Sequence, residues 1–128
     1  MNAVSFYFPG SKWAKSFGSL AMGNPDRPEL AEEITTAFSD LDPMVARQFA
    51  EVTFNSDQRN VLDLVRVPTL ILQCTNDVVV PSSASEFLHR SIKESTLARL
   101  DATGHFPHLT APDETIDAIK DYLESDID

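Results

Sequence analysis

The first half of the chain carries apolar residues at helical spacing. Trp13, Phe17 and Leu20 stand at i, i+4 and i+7, so they share one face of a predicted helix over residues 12–22. A proline at a first-turn position predicts the start of each of two further helices, because its fixed φ suits that turn. Residues 1–65 are therefore predicted to be mainly helical, with helices over 12–22, Pro28–Phe38 and Pro43–Phe54 and a short one ending at Leu64.

The second half, residues 66–128, alternates between strand and helix patterns. Thr69–Cys74 is almost wholly apolar, as expected for a strand that is covered on both faces, and Thr96–Leu100 is the second predicted strand. One helix, starting at Pro81 or Ser82, separates the strands. This order predicts a right-handed crossover and a parallel sheet. A final helix is predicted over Pro112–Tyr122, with Ile116, Ile119 and Leu123 facing inward.

Two residues that can carry out acid–base chemistry follow the two predicted strands. Asp77 follows the first strand and His105 the second, and the carboxyl ends of neighbouring parallel strands meet at one edge of a sheet. Taken singly, Asp77 is better interpreted as a turn residue, and His105 as an ordinary loop histidine after Gly104. Together, in this chain order, they match the last two members of a Ser…Asp…His triad, in which a carboxylate orients the imidazole that accepts a hydroxyl proton.

The serine that such a triad needs is not evident in this sequence. No Gly-x-Ser-x-Gly pattern occurs, and the segment around Gly18 and Ser19 has the wrong spacing. His108 and His105 are a conceivable metal pair, but too few other ligands lie nearby, so no metal is expected. The face formed by Trp13 and Phe17 is either ordinary core or the apolar wall of a ligand pocket.

Composition narrows the possible partners and locations. The 128 residues carry a net charge of −10, which disfavours binding to nucleic-acid phosphates or to anionic membranes. No apolar run reaches membrane-spanning length, and the first ten residues do not resemble a signal peptide. Cys74 is the single cysteine, so no intrachain disulfide is possible, and we expect a buried, inert thiol in a cytoplasmic protein.

Five segments of the chain carry a resemblance to a known family: Asn24–Glu29, Asp42–Ala50, Phe54–Asp57, Val67–Cys74 and Gly104–Thr115. They closely resemble RsbQ-type α/β-hydrolases, bacterial regulators of a general stress sigma factor that are related to the strigolactone and karrikin receptors of plants. The resemblance implies an α/β fold that corresponds to the carboxyl-terminal half of an α/β-hydrolase, with a helical lid over residues 1–65 and a parallel β-α-β-α core unit over residues 66–128.

The same resemblance implies an activity and a set of site residues. The activity is hydrolysis of an ester of a small apolar molecule without a cofactor, coupled to stress signalling through a partner phosphatase. Asp77 and His105 match the triad acid and base. The residues that match the lining of the ligand pocket are Trp13, Phe17, Phe54 and Val78.

Two functions of different classes remain for a sequence without the serine and the oxyanion loop. The chain is either part of a hydrolase that is completed by an amino-terminal half, or a non-catalytic interaction module. We expect the chain alone to be inactive, because the acid–base pair has no nucleophile to activate. We also expect it to self-associate as a homodimer, through the open edge of the strand Thr69–Cys74 or through the lid.

Overall fold

The computed structural model of the protein describes residues 11–125, with their side chains from Lys15 onward. The predicted alternation of strands and helices in the second half is confirmed, and each predicted boundary lies within a few residues of the observed one. In chain order the elements are α1 (Ser11–Met22), α2 (Pro28–Ser39), α3 (Pro43–Asn55), a 3₁₀ helix (Arg59–Leu64), β1 (Thr69–Asn76), α4 (Ser82–Ser91), β2 (Ser95–Thr103), α5 (Pro107–Thr110) and α6 (Pro112–Ser125).

Local sequence signals explain where the amino-terminal helices begin and end. Asp42 caps α3, because its side chain accepts the backbone N–H groups of Met44 and Val45 while proline occupies the first helical position. Gly23 ends α1 with a positive φ of 63°, and its N–H donates to the carbonyl of Ser19. Glycine is favoured at such a helix end because it adopts left-handed backbone angles without a steric cost from a Cβ atom.

The two strands form a parallel sheet, as the sequence predicts. Their register pairs Thr69 with Ser95 and Cys74 with Leu100, and an irregularity follows Cys74 before Asn76 meets Thr103. Helix α4 makes the connection between the strands and packs against both of them. Both strands therefore end at the same edge of the sheet.

A small core fills the space between the sheet and the helices of the second half. Cys74, Leu100 and Ala102 are its buried members, and Ala111 and Ala118 pack against it. The predicted burial of the Cys74 thiol is confirmed, since this residue is 3% exposed. Burial, with a smaller contribution from the nearby carboxylates, raises the pKa of the thiol, so it stays protonated and inert.

The prediction of which face of α6 packs inward is wrong. Ile116, Ile119 and Leu123 are 47%, 40% and 57% exposed, whereas Thr115 is buried and Ala118 packs on the core. Two neighbouring stripes of α6 could pack inward, and helical periodicity alone does not choose between them. The sheet packs against the stripe that contains Thr115 and Ala118.

Other apolar residues of the described chain are also open to solvent. In β1, Thr69–Leu72 is half-buried, so the prediction of a strand covered on both faces is wrong for this segment. Helix α3 has no buried residue, and its apolar stripe is exposed. That stripe consists of Val45, Phe49 and Val52, which are 58%, 75% and 70% exposed.

Helix α5 was not predicted from the sequence. Pro107 occupies its first turn, and the helix spans a single turn from Pro107 to Thr110. Within residues 11–125 no helix is both long enough and apolar enough to cross a membrane.

Candidate functional site

Asp77 directly follows the last residue of β1 and uses both of its carboxylate oxygens. Oδ1 accepts the backbone N–H groups of Val79 and Val80, at 2.8 and 3.0 Å. Oδ2 faces His105. The side chain is 7% exposed, so these partners replace nearly all of its contact with water. Asp77 is therefore both a residue that closes a turn and the partner of a histidine, the two interpretations that the sequence allowed.

His105 lies on the loop that follows β2. Its ring atom Nδ1 is 2.8 Å from Oδ2 of Asp77, and its side chain is 34% exposed. The neighbouring ring of Phe106 packs against it edge-on, with the ring centres 5.3 Å apart. The prediction that these two side chains approach each other from adjacent strands is confirmed.

The backbone of this loop is fixed from two sides. Gly104 donates its N–H to the carbonyl of Asn76, the residue before Asp77, at 2.9 Å. On the other side His105 donates its N–H to the carbonyl of Ala21, at the end of α1, at 2.7 Å. The imidazole is therefore placed by β1 and by α1 together.

Only glycine fits at position 104. Its φ is 100°, which other residues rarely adopt, and a Cβ there would stand 2.2 Å from the carbonyl oxygen of Met22. Because the obstacle is backbone, it cannot move aside in the way that a flexible side chain can. Gly104 therefore allows the loop over residues 104–106, the histidine loop, to lie directly against the end of α1.

The ionisation of Asp77 sets the tautomer of the histidine. Burial by itself raises the pKa of this carboxyl, but the hydrogen bonds from His105 and from the Val80 and Val79 amides outweigh it, so the pKa lies below its usual value. An ionised carboxylate only accepts hydrogen bonds, so the proton between the two groups lies on Nδ1. Nε2 of His105 then carries the lone pair that can accept a proton, as in a base held by its orienting acid.

The four predicted pocket residues lie in different surroundings. Phe17 is half-buried, and its ring packs edge-on against Phe38 with the centres 5.4 Å apart. Phe54 and Val78 are 61% and 63% exposed. Trp13 belongs to α1, but its side chain lies outside the described residues. Their role in binding a ligand stays a prediction.

A separate groove lies between the 3₁₀ helix and α4. Its volume is about 440 Å³, and Leu62, Phe87 and Leu88 supply much of its apolar lining. Neither Asp77 nor His105 lines this groove. It is therefore a surface feature distinct from the acid–base pair.

The described residues do not form a metal site. Among them, no three His, Cys, Asp or Glu side chains converge in a way that would hold an ion. His108 is exposed on α5, and its ring packs edge-on against that of Phe106.

The sequence of the chain is similar to those of known esterases. No protein-family model matches the chain. Over 101 residues it is 38% identical to strigolactone esterase D14 of Arabidopsis thaliana, a match that covers 78% of this chain and 38% of that protein. Over 116 residues it is 32% identical to a probable esterase of Oryza sativa subsp. japonica, covering 90% of this chain and 43% of that protein.

The fold has a close counterpart among solved structures. A hydrolase from Oleispira antarctica superposes with a TM-score of 0.83 and 30% sequence identity, over 89% of this chain and 42% of that chain. The predicted fold class, the carboxyl-terminal half of an α/β-hydrolase, is confirmed. The chain thus spans between 38% and 43% of the length of these relatives.

The residues that hold the histidine loop from the side of α1 were missed by sequence reasoning. Ala21 and Met22 are 0% and 1% exposed, and Asn24 bonds to the carbonyl of Thr103. Gly23 signals the end of a helix, but nothing in the sequence indicates that this end meets a loop about eighty residues later.

Replacing Gly104 by alanine tests the close approach. We expect Gly104→Ala to lower the free energy of unfolding by about 3 kcal/mol, because it combines a strained φ with a backbone clash. Gly23→Ala is the matched control. It also has a positive φ, but its Cβ would meet a Thr103 methyl group at 3.1 Å, so we expect a loss of about 1 kcal/mol. Urea denaturation measures both, and equal losses would contradict the geometry.

Asp77→Asn tests the charge on the buried carboxylate. At neutral pH we expect the variant to be less stable by about 2 kcal/mol, because it loses hydrogen bonds to an ionised group. Since the pKa of Asp77 is depressed in the folded state, its stabilising contribution is fully present above the ordinary value of about 3.9 and is lost as the pH falls through the lower folded-state value. The stability gap between the two proteins should therefore close at acid pH.

Urea denaturation from neutral pH to about pH 2 measures this gap. The matched control is Asp117→Asn, at an exposed position on α6. A gap for Asp77→Asn that stays constant down to the lowest pH would contradict a depressed pKa.

Proposed function

We propose that the chain supplies the acid–base pair of a serine esterase that acts on a small apolar molecule. The single observation that carries this proposal is the 2.8 Å bond between Nδ1 of His105 and Oδ2 of Asp77 at the carboxyl ends of two parallel strands. The esterase relatives support it, because the match to the probable esterase of Oryza sativa subsp. japonica covers 90% of this chain and therefore includes both residues.

His105 moves the protons in the proposed reaction. Its Nε2 takes the proton of a serine hydroxyl as the serine oxygen bonds to the ester carbonyl, and the imidazolium then gives that proton to the leaving alkoxide. In the second half of the cycle Nε2 takes a proton from water, which hydrolyses the acyl-serine, and returns a proton to the serine. Asp77 stays ionised throughout and stabilises the imidazolium.

The remaining parts of the proposal rest on the resemblance to RsbQ-type hydrolases. In this proposal, residues 1–65 act as the lid and residues 66–128 as the core unit. Catalysis is coupled to stress signalling through a partner phosphatase in the cytoplasm. The pocket for the apolar ligand is lined by Trp13, Phe17, Phe54 and Val78.

Turnover of a small aryl ester tests the catalytic role. We expect no turnover above background from the 128-residue chain, because its sequence has no nucleophile elbow. We expect turnover when the chain is joined to the amino-terminal part of the Oleispira antarctica hydrolase, which shares its fold. His105→Ala should then lower kcat by a factor of about 10³ or more.

His89→Ala is the matched control for this experiment. His89 is exposed on α4, and its ring bonds to Ser95 rather than to a carboxylate, so its loss should leave kcat unchanged. Activity of the isolated chain that a serine-directed fluorophosphonate abolishes, while labelling one of its serines, would contradict the prediction that the chain alone is inactive. A joined enzyme that turns over equally well with and without His105 would contradict the proposal.

A second candidate function is a non-catalytic interaction module that self-associates. The observation in its favour is the exposed apolar stripe Val45, Phe49 and Val52 on α3, together with the half-buried residues 69–72 of β1. Contiguous exposed apolar residues often mark interfaces, and an open strand edge invites pairing with another chain. Under this hypothesis the Asp77–His105 bond serves only to fix two loops.

Light scattering over a concentration series tests self-association. We expect the mass of a dimer at tens of micromolar, because two-fold closure is the commonest way to cover such a surface. Phe49→Lys should shift the equilibrium toward monomer if the dimer forms through α3, whereas Lys15→Ala, at an exposed position of α1, should not. A monomer mass together with a cooperative thermal transition would show that the edge is covered from within.

A further inference from the structure

The end of α1 presents backbone carbonyl groups to the histidine loop. The last carbonyls of a helix have no partner within the helix, so they need donors from elsewhere. One of them, Ala21 O, receives the N–H of His105 itself. The next, Met22 O, lies so close to Gly104 that a Cβ there would clash with it.

The side chain of Asn24 connects the two segments that meet at this point. Its Nδ2 donates to the carbonyl of Met22 at 2.5 Å and to the carbonyl of Thr103 at 2.9 Å. Thr103 is the last residue of β2 and stands two positions before His105. One amide group therefore joins the end of a lid helix to the end of the strand that carries the histidine, across 79 positions of sequence.

We propose that Asn24 is a positioning residue for His105, which acts by holding the end of α1 against the loop that bears the imidazole. The role rests on the proposed function, because positioning matters for catalysis only if His105 transfers protons. Asn24 acts through the backbone of the loop. Its side chain bonds to the carbonyl of Thr103, while the carbonyl of Ala21 accepts the N–H of His105.

The chemistry of the amide explains why this position carries asparagine. A primary amide nitrogen has two N–H groups, which is the number that two carbonyl acceptors require. Aspartate has nearly the same shape but only accepts hydrogen bonds when ionised, so it would face both carbonyls with repulsion. Alanine would leave both part-buried carbonyls without this donor.

The consequence for the site is geometric. Nδ1 of His105 bonds to an Asp77 carboxylate that is itself fixed by two backbone amides. The carboxylate cannot follow the ring if the histidine loop moves away. A small displacement of α1 from the loop would therefore lengthen the Nδ1–Oδ2 bond, and displacements of about 1 Å at catalytic groups are costly.

Proton and nitrogen resonances of the His105 ring report this bond without any turnover. We expect the intact chain to show a strongly deshielded proton on Nδ1 of His105. In Asn24→Asp we expect that proton to exchange with water at least about tenfold faster, and the backbone amide of His105 to lose protection by a similar factor, the equivalent of one hydrogen bond. The amide of Leu100, within β2, should keep its protection.

Asn55→Asp is the matched control. Asn55 also donates its side-chain amide to a backbone carbonyl, that of Glu51 at 2.8 Å, but it does so locally and on the exposed surface of α3. We expect this variant to leave the His105 ring proton and amide unchanged. If Asn24→Asp does not fold, Asn24→Ser, which keeps one donor, is compared with Asn55→Ser.

Two results would overturn the proposal. One is a folded Asn24 variant in which the ring proton and the His105 amide behave as in the intact chain. The other is an equal change in the Asn55 control. A third result would separate the two proposals. If the His105 ring resonances are as expected but the chain joined to the amino-terminal part of the hydrolase turns over without His105, the esterase function is contradicted and the positioning of the ring by Asn24 is not.

Discussion

Gly104 lies against the last turn of α1 so closely that no side chain fits between them, and the site depends on this contact. The carbonyl oxygen of Met22 occupies the place that a Cβ would take. The same contact brings the N–H of His105 to the carbonyl of Ala21 and lets the side chain of Asn24 reach Thr103. Helix α1 and the end of β2 are thus joined by the backbone bond of His105 and by the side chain of Asn24.

The carboxylate of Asp77 serves structure and chemistry at once. One oxygen closes the turn after β1 by accepting two amides, and the other holds the imidazole of His105. Because these donors keep the pKa of Asp77 low, the carboxylate remains ionised and accepts the Nδ1–H of His105.

The apolar surface of the described chain follows from how little sheet it contains. Two strands offer space for one stripe of α6 and for α4, so Ile116 and Ile119 remain outside, as does the apolar stripe of α3. Apolar faces of helices and sheets are usually covered by packing against another layer of secondary structure.

The sequence by itself determined the order of the elements, the parallel pairing of the strands and the meeting of Asp77 with His105. These follow from local periodicity, proline and glycine signals and the handedness of the crossover, all of which act over short stretches of chain. Only the tertiary structure decided which stripe of α6 packs inward and that Asn24 reaches Thr103. Those choices depend on which surfaces remain after the sheet has formed and on contacts between residues far apart in sequence, and no local pattern records either.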